Sequence, residues 1–342
     1  MKSIKNKIKR LLAFSVPFVI CLCLIGVTVY AQDKGEAKTK KGFFGRLFNN
    51  DAPKIKPVKN VFQSIWIIDN QTVIVPVKGT LEFDIQHRFG VINNGYQDLY
   101  GFFAPSNIRL GINYAPIKHL NLGIGLTKTN MLFDASAKYA LMSQTKGKWP
   151  VSISYYANMG IETKKDVDHT LFKYSTQRFS FFHQLIIARK ITSKFSVQVA
   201  PSLSHQNAVN GYYIKNDSTG TAIFKNMKFD HFAIAVSARY KITNVMAVTV
   251  NYDQPLTKHQ TNNPDPNLAF GIEMTTSSHS FQIFLGNYSY LSPQYNNLFN
   301  KNAPFSYTDK TQTHPNRSAS NPDKVRGGRF VIGFNITRLW NY

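Results

Sequence analysis

The 342-residue sequence predicts an all-β fold, an antiparallel up-and-down transmembrane β-barrel of about twelve strands with short periplasmic turns and long extracellular loops. Three observations predict it. Stretches that alternate between apolar and polar residues recur along most of the chain. The connections between them alternate between short and long. The last residues, "RLWNY", carry the aromatic side chains with which outer-membrane barrels generally end.

The chain opens on "MKSIKNKIKR", which supplies Lys2, Lys5, Lys7, Lys9 and Arg10 without an acid. An apolar run follows, then "VYA", with Val29 and Ala31 where a signal peptidase reads. Residues 1–31 therefore read as a secretory signal peptide cleaved before Gln32. An uncleaved anchor is the alternative, since the run approaches spanning length. Both cysteines, Cys21 and Cys23, lie inside the run, so the mature chain is expected to have neither disulfide nor thiolate chemistry. Residues 32–60 are Lys-rich, carry two prolines and lack a steady period, as a periplasmic linker would. Residues 61–78, with "FQSIWIIDNQTVIVP", are apolar without clean alternation and suit either a lumen plug or a short hairpin.

Residues 79–342 form the predicted barrel. In "GTLEFDIQHRFG" Leu81, Phe83, Ile85 and Phe89 oppose Glu82, Asp84, Gln86 and Arg88. Such a period of two builds a strand with two different faces. In "NIRLGINYA" Ile108, Leu110, Ile112 and Tyr114 oppose Arg109, Gly111 and Asn113, and "LNLGIGL" sets leucine and isoleucine against Asn121, Gly123 and Gly125. "MLFDASAKYAL" alternates more weakly, with Asp134, Ser136 and Lys138 on the polar side, and "PVSISYYANMGI", "FSVQVAPSL", "HFAIAVSARYKI", "MAVTVNY", "LAFGIEMT", "HSFQIFLG" and "RFVIGFNIT" follow the same rule. "RFSFFHQLIIA" defeats it with a continuous apolar run. The polar faces suit a wet lumen and the apolar faces suit lipid. In lipid every backbone group must be paired, so the sheet has to close on itself. A soluble secreted β-domain is the competing reading, but it has no reason to sort its loops so strictly. Tyr114, Trp149, Tyr240 and Trp340 fall at predicted periplasmic strand ends, where an aromatic girdle sits.

"GTLEFDIQHRFG", "IRLGINYAPIKHLNLGIGLTK" and "RFSFFHQLIIARKITSKFSVQVAPSLSHQN" together resemble one family, the outer-membrane β-barrel proteins of Bacteroidota grouped as domain of unknown function 5777. The resemblance spans about Val61 to Tyr342. It implies an outer-membrane barrel and brings no activity, cofactor or catalytic residue to carry over.

Chemistry is sparse. Outer-membrane lipases place His and Ser two apart on one strand face, and none of the nine histidines has Ser two residues later. The reading is therefore of a protein that is not an enzyme. His87, His183 and His205 suit either a metal or haem, or hydrogen bonding at strand ends near the membrane interface. No cofactor is expected. Lys+Arg exceed Asp+Glu by 41 to 18. For an exported chain that balance points to anionic lipid, lipopolysaccharide or an anionic solute, and away from nucleic acid. Barrel-insertion machinery is an expected partner through the aromatic C-terminus, and a periplasmic protein is one through the linker. Two functions remain open: a narrow pore for small, anionic solutes, or a non-conducting docking barrel of an envelope complex. For the pore, up-and-down order brings Arg88, Arg109 and Arg329 to one sector of the outer mouth, with Glu82 and Asp84 deeper on the first strand.

Overall fold

The structure is a computed structural model describing residues 57–166, 172–209, 211–215, 222–309, 314, 316, 318–321 and 323–341. The predicted signal peptide, residues 32–56 of the predicted linker and Tyr342 lie outside the described residues.

A two-residue-per-strand hairpin comes first, β1 (Trp66–Ile67) and β2 (Asn70–Gln71). The wall follows as β3 (Thr80–Val91), β4 (Asn107–Ile117), β5 (Leu120–Thr127), β6 (Leu132–Met142), β7 (Ser152–Glu162), β8 (Phe179–Lys190) and β9 (Phe195–Gln206). A loop hairpin, β10 (Gly211–Lys215) and β11 (Ala222–Asn226), separates these from β12 (Asp230–Lys241), β13 (Met246–Pro255), β14 (Asn267–Thr275) and β15 (His279–Gly286). The longest loop holds a short helix α1 (Pro293–Phe299) and a small pair, β16 (Tyr307–Thr308) and β17 (Lys324–Val325), before the last strand β18 (Val331–Asn341). Twelve of these strands close into one antiparallel barrel in sequence order, with β18 pairing β3. Strand number, order and the sorting of turns and loops agree with the sequence reading.

Alternation sets the faces. Along β3, Thr80, Glu82, Asp84, Gln86 and Arg88 are buried inside while Leu81, Phe83, Ile85, His87 and Phe89 point out. Along β5 the outward Leu122, Ile124 and Leu126 are 43%, 61% and 43% exposed, so this wall is solvated by lipid. Tyr114, Trp149 and Tyr240 are exposed at the short-turn end, where a girdle belongs.

The ambiguous strand β8 has a physical explanation. Phe182, Ile186 and Ala188 face inward, and Phe181, His183, Leu185 and Ile187 face outward. The inward apolar residues do not meet water. They pack with Tyr156, Ala200 and Ala235 of neighbouring strands against Val61, Phe62, Ile67 and Val73 of the N-terminal segment. An apolar core inside the barrel makes both faces of β8 apolar, which removes the period-two signal.

Candidate functional site: an occupied lumen

The N-terminal segment is tied to the inner wall on several sides. On the β14–β15–β18 side, Gln282 Nε2 donates to Trp66 O at 2.9 Å and Gln282 Oε1 accepts from Ile68 N at 3.0 Å. Asn335 Nδ2 also donates to Ile68 O. On the β12–β13 side, Asn70 Nδ2 donates to Asn251 Oδ1 at 2.8 Å and to Asp253 Oδ1 at 2.7 Å. On the β6–β9 side, Lys138 Nζ donates to Gln71 Oε1 at 2.8 Å, Gln198 Nε2 donates to Gln71 O at 2.8 Å, and Ser154 Oγ donates to Val73 O at 2.7 Å. These wall groups read from sequence as lumen residues facing water. Their partners are backbone groups of Trp66, Ile68, Gln71 and Val73 and the side chains of Asn70 and Gln71.

The hairpin turns at Ile68 and Asp69. Ile68 has φ 62°, unusual for a β-branched residue, and is fully buried against Ala269, Phe284 and Tyr288. The wall side chains Gln282 and Asn335 hydrogen-bond its N–H and its carbonyl and hold that conformation. Backbone strain kept in place by its surroundings is found at functional positions.

The outer end is filled from the other direction. The loop after β15 enters the mouth, and α1 buries Gln294, Asn296, Asn297 and Leu298. Gln294 Nε2 donates to Asn158 Oδ1 on β7 at 3.0 Å. Tyr295 donates its hydroxyl to Glu162. The loop and the hairpin meet at Asp69. Its carboxylate accepts hydrogen bonds from Asn296 Nδ2 at 3.2 Å, from Asn251 Nδ2 at 3.3 Å and from the Tyr288 hydroxyl. Burial raises the Asp69 carboxyl above the usual range, and the hydrogen bond from Tyr288 and the nearby Arg88 oppose that rise. Small cavities lie on either side of Ser292, one of them lined by Trp66, each with room for about one water.

Of the predicted pore residues, Arg88, Arg109, Glu82 and Asp84 are inside the barrel, in separate networks, and Arg329 is in the loop before β18. Arg109 forms a two-pronged pair with Asp134, Nε to Oδ2 at 2.9 Å and Nη2 to Oδ1 at 2.8 Å, and its Nη1 reaches Asp84 Oδ1 at 2.8 Å. Asn113 and Asn158 donate to the same two carboxylates. A Cβ at Gly125 would stand 2.2 Å from Arg109 Nη2, and one at Gly111 would stand 2.3 Å from Asp84 Oδ2. The glycines of "GIGL" and "LGIN" thus make room for this buried triad. Arg88 turns away from it, donating Nη1 to Asn335 Oδ1 at 2.9 Å and lying 4.4 Å above the Phe284 ring. Arg329 precedes β18 and is half-buried in the loop, where its carbonyl accepts from Asn302. Glu82 is buried within electrostatic reach of Lys138. The expected arc of Arg88, Arg109 and Arg329 is therefore not assembled here. Arg109 leans toward β6, Arg88 toward β15 and β18, and carboxylates and amides occupy both. Sequence reasoning placed Asp134 and Lys138 on the polar side of their strand without giving them a role, and did not single out Gln282 or Asn335. Their inward parity was readable, but their partners lie far away in sequence.

The three histidines are all on the outward face. His87 stacks on Phe334 with ring centroids 5.0 Å apart. His183 Nδ1 is 2.7 Å from the Tyr155 hydroxyl, and His205 contacts Asp230 at 2.7 Å and Asn207 at 3.1 Å. No cluster of three potential metal ligands occurs among the described residues.

A closed antiparallel barrel with a lipid-facing band defines an integral protein of the outer-membrane type. The chain belongs to the family of the membrane-bound β-barrel domain DUF5777, whose model matches residues 62–340. It is an outer-membrane β-barrel protein. Solved structures with a similar fold include the COG4313 outer membrane channel from Pseudomonas putida F1, at 9% identity and TM-score 0.43, covering 78% of this chain and 97% of that one. The NanC porin, at 10% identity and TM-score 0.38, covers 77% and 99%. The KdgM porin, at 8% identity and TM-score 0.37, covers 76% and 98%. No curated protein matches the chain.

Proposed function

We propose that the protein is an outer-membrane channel held closed by its own N-terminal hairpin, with passage requiring the hairpin to leave. The observation that carries this reading is the joint at Asp69, where the hairpin and the extracellular loop meet inside the barrel. Polar contacts dominate the seat of the hairpin tip, so wall groups released by its departure can be rehydrated. Solute class follows from the charges inside. Buried within the barrel are Asp69, Glu82, Asp84, Asp134, Asp253 and Glu273, six carboxylates, against Arg88, Arg109, Lys138 and Arg239, four cations. With the hairpin gone Asp69 leaves, and five face four. This balance supports a small neutral or cationic solute over the anionic one suggested by an open arginine arc.

The test is conductance in planar bilayers for the whole protein and for a variant lacking residues 61–78. A closed whole protein and steady ohmic steps from the deletion are expected. Retained heat-modifiability on SDS gels checks that the deletion variant folds. Silence from a folded deletion variant would overturn the channel.

A second reading, a non-conducting docking barrel, is favoured by a different observation. Val61, Phe62, Phe182 and Ile186 form an apolar core inside the lumen. Exposing each such side chain to water costs about 1.5–3 kcal/mol. Silence of both proteins, together with co-purification of one periplasmic partner, supports it.

A further inference from the structure

The two ends of the barrel differ in charge. At the long-loop end acids and bases are mixed, with Asp98, Glu162 and Asp230 among Lys128, Lys164 and Arg178. At the short-turn end there is no Asp or Glu among the described residues of 57–60, 76–79, 116–121, 141–151, 188–195, 240–246, 275–280 and 338–341. The same segments carry ten basic residues. Lys118 occupies the β4–β5 turn, and Lys146 and Lys148 the β6–β7 turn. Arg189, Lys190 and Lys194 cluster at the β8–β9 turn, and Lys241 lies at the end of β12. Arg338 closes the circuit on β18, Lys78 precedes β3, and Lys59 lies beside the β8–β9 cluster, its carbonyl accepting from Lys190 Nζ at 3.1 Å. The β14–β15 turn alone lacks a Lys or Arg.

We propose that this rim is a binding ring for anionic phospholipid headgroups of the leaflet that meets the short turns. Three features carry the assignment. The cations surround the barrel, as a headgroup layer does, whereas a docked protein would need them on one side. They adjoin the aromatic girdle: Arg338 lies 5.2 Å above the Trp340 ring and Lys148 lies 6.0 Å from that of Trp149. A cation beside an interfacial aromatic sits at phosphate depth. Finally, Lys190 lies within electrostatic reach of Lys241. Anionic headgroups would relieve this like-charge crowding, and each rim cation near an anionic leaflet gains attraction that adds around the ring. The inference does not depend on whether the lumen conducts.

The experiment is native mass spectrometry of the full chain titrated with phosphatidylglycerol or with phosphatidylcholine of the same acyl chains. The wild type should retain phosphatidylglycerol in clear preference. Substituting Lys118→Gln, Lys146→Gln, Lys148→Gln, Arg189→Gln and Lys194→Gln together should reduce that preference roughly tenfold. These side chains are exposed or nearly so, and heat-modifiability on SDS gels checks that the variant is folded. Lys128→Gln with Lys164→Gln, at the opposite end, should leave the preference unchanged. Equal retention of the two lipids by the wild type, or an undiminished preference in the folded five-site variant, would overturn the ring. Salt-sensitive binding of soluble polyglutamate by a wild type with no lipid preference would assign the rim to an acidic protein instead.

Discussion

Asn296 donates a hydrogen bond to Asp69 at 3.2 Å, joining residues 227 positions apart inside the barrel. One belongs to the longest extracellular loop and the other to the tip of the N-terminal hairpin. Neither segment spans the membrane, yet together they fill the space the wall encloses. The hairpin is also bonded to strands from β6 to β18, so its seat is complete only when the barrel has closed.

Asp69→Ala should loosen that joint. It removes the acceptor shared by Asn251, Asn296 and Tyr288; Asn296 Nδ2 keeps the Tyr290 carbonyl at 2.9 Å, while the buried Asn251 amide and Tyr288 hydroxyl lose their acceptor, each at a cost of about 1–3 kcal/mol. The expected outcome is faster amide exchange over residues 66–73 with unchanged exchange along the barrel strands. Unchanged protection of the hairpin would count against the joint as its main anchor.

The apolar core inside the lumen should be worth more than the lipid-facing surface. Phe182 is 1% exposed and packs with Tyr156, while Ile124 points to lipid. Phe182→Ala should cost about 3–5 kcal/mol by opening a cavity. Ile124→Ala should cost far less, since lipid fills the space. Urea-unfolding midpoints in matched bilayers measure both. Equal losses would mean that the lumen at β8 is wet.

The wall was legible in the sequence, and its contents only as the open choice of lumen plug or short hairpin for residues 61–78. Alternation in "LNLGIGL" or "GTLEFDIQHRFG" reports that a strand has two environments, and it placed Arg88, Arg109, Glu82 and Asp84 inward. It does not say what fills the inner one. The apolar break in "RFSFFHQLIIA" and the apolar, non-alternating "FQSIWIIDNQTVIVP" were the local traces of a dry patch in the lumen. Nothing nearby in sequence links Phe182 to Phe62, or Gln282 to Ile68. Arg109 and Asp134 lie one strand apart across β5, but their pairing depends on the absence of side chains at Gly111 and Gly125. Sequence periodicity reads the glycines only as small.

A buried histidine makes the outer loops sensitive to acid. His259, in the β13–β14 loop, accepts from Lys228 N at its Nδ1 at 2.8 Å, so its Nε2 donates to His231 Nδ1 at 2.9 Å. Burial, then Lys301 and Lys228, push its pKa down to about 4 from the ordinary 6.5. A depressed histidine contributes stability that is present above the ordinary value and is lost as pH falls toward the folded one. A proton on Nδ1 would also face the Lys228 N–H. Proteolysis of loop 256–266 should therefore be faster at about pH 4.5 than at about pH 7.5, and His259→Gln should flatten that difference. A pH-independent rate in the wild type would remove His259 from the loop's stability.

Ion preference tests the charges of the lumen. Arg109 is held between Asp84 and Asp134, so its side chain neutralises one of two carboxylates that otherwise face each other inside the barrel. In the variant lacking residues 61–78 the wall holds five carboxylates and four cations, and a conducting form should prefer cations weakly. Adding Arg109→Met leaves five against three and should strengthen that preference, because the low-dielectric wall concentrates the field of each uncompensated charge. The same change strands two buried carboxylates, at a cost of about 3–5 kcal/mol. A companion variant, Arg109→Met with Asp84→Asn and Asp134→Asn, restores pairing without the cation and should recover stability. Its wall holds three carboxylates and three cations and should lose the preference. Reversal potentials in a salt gradient read all three proteins. Anion preference in the hairpin deletion, or a reversal potential that ignores Arg109→Met, would show that the triad lies outside the conducting path.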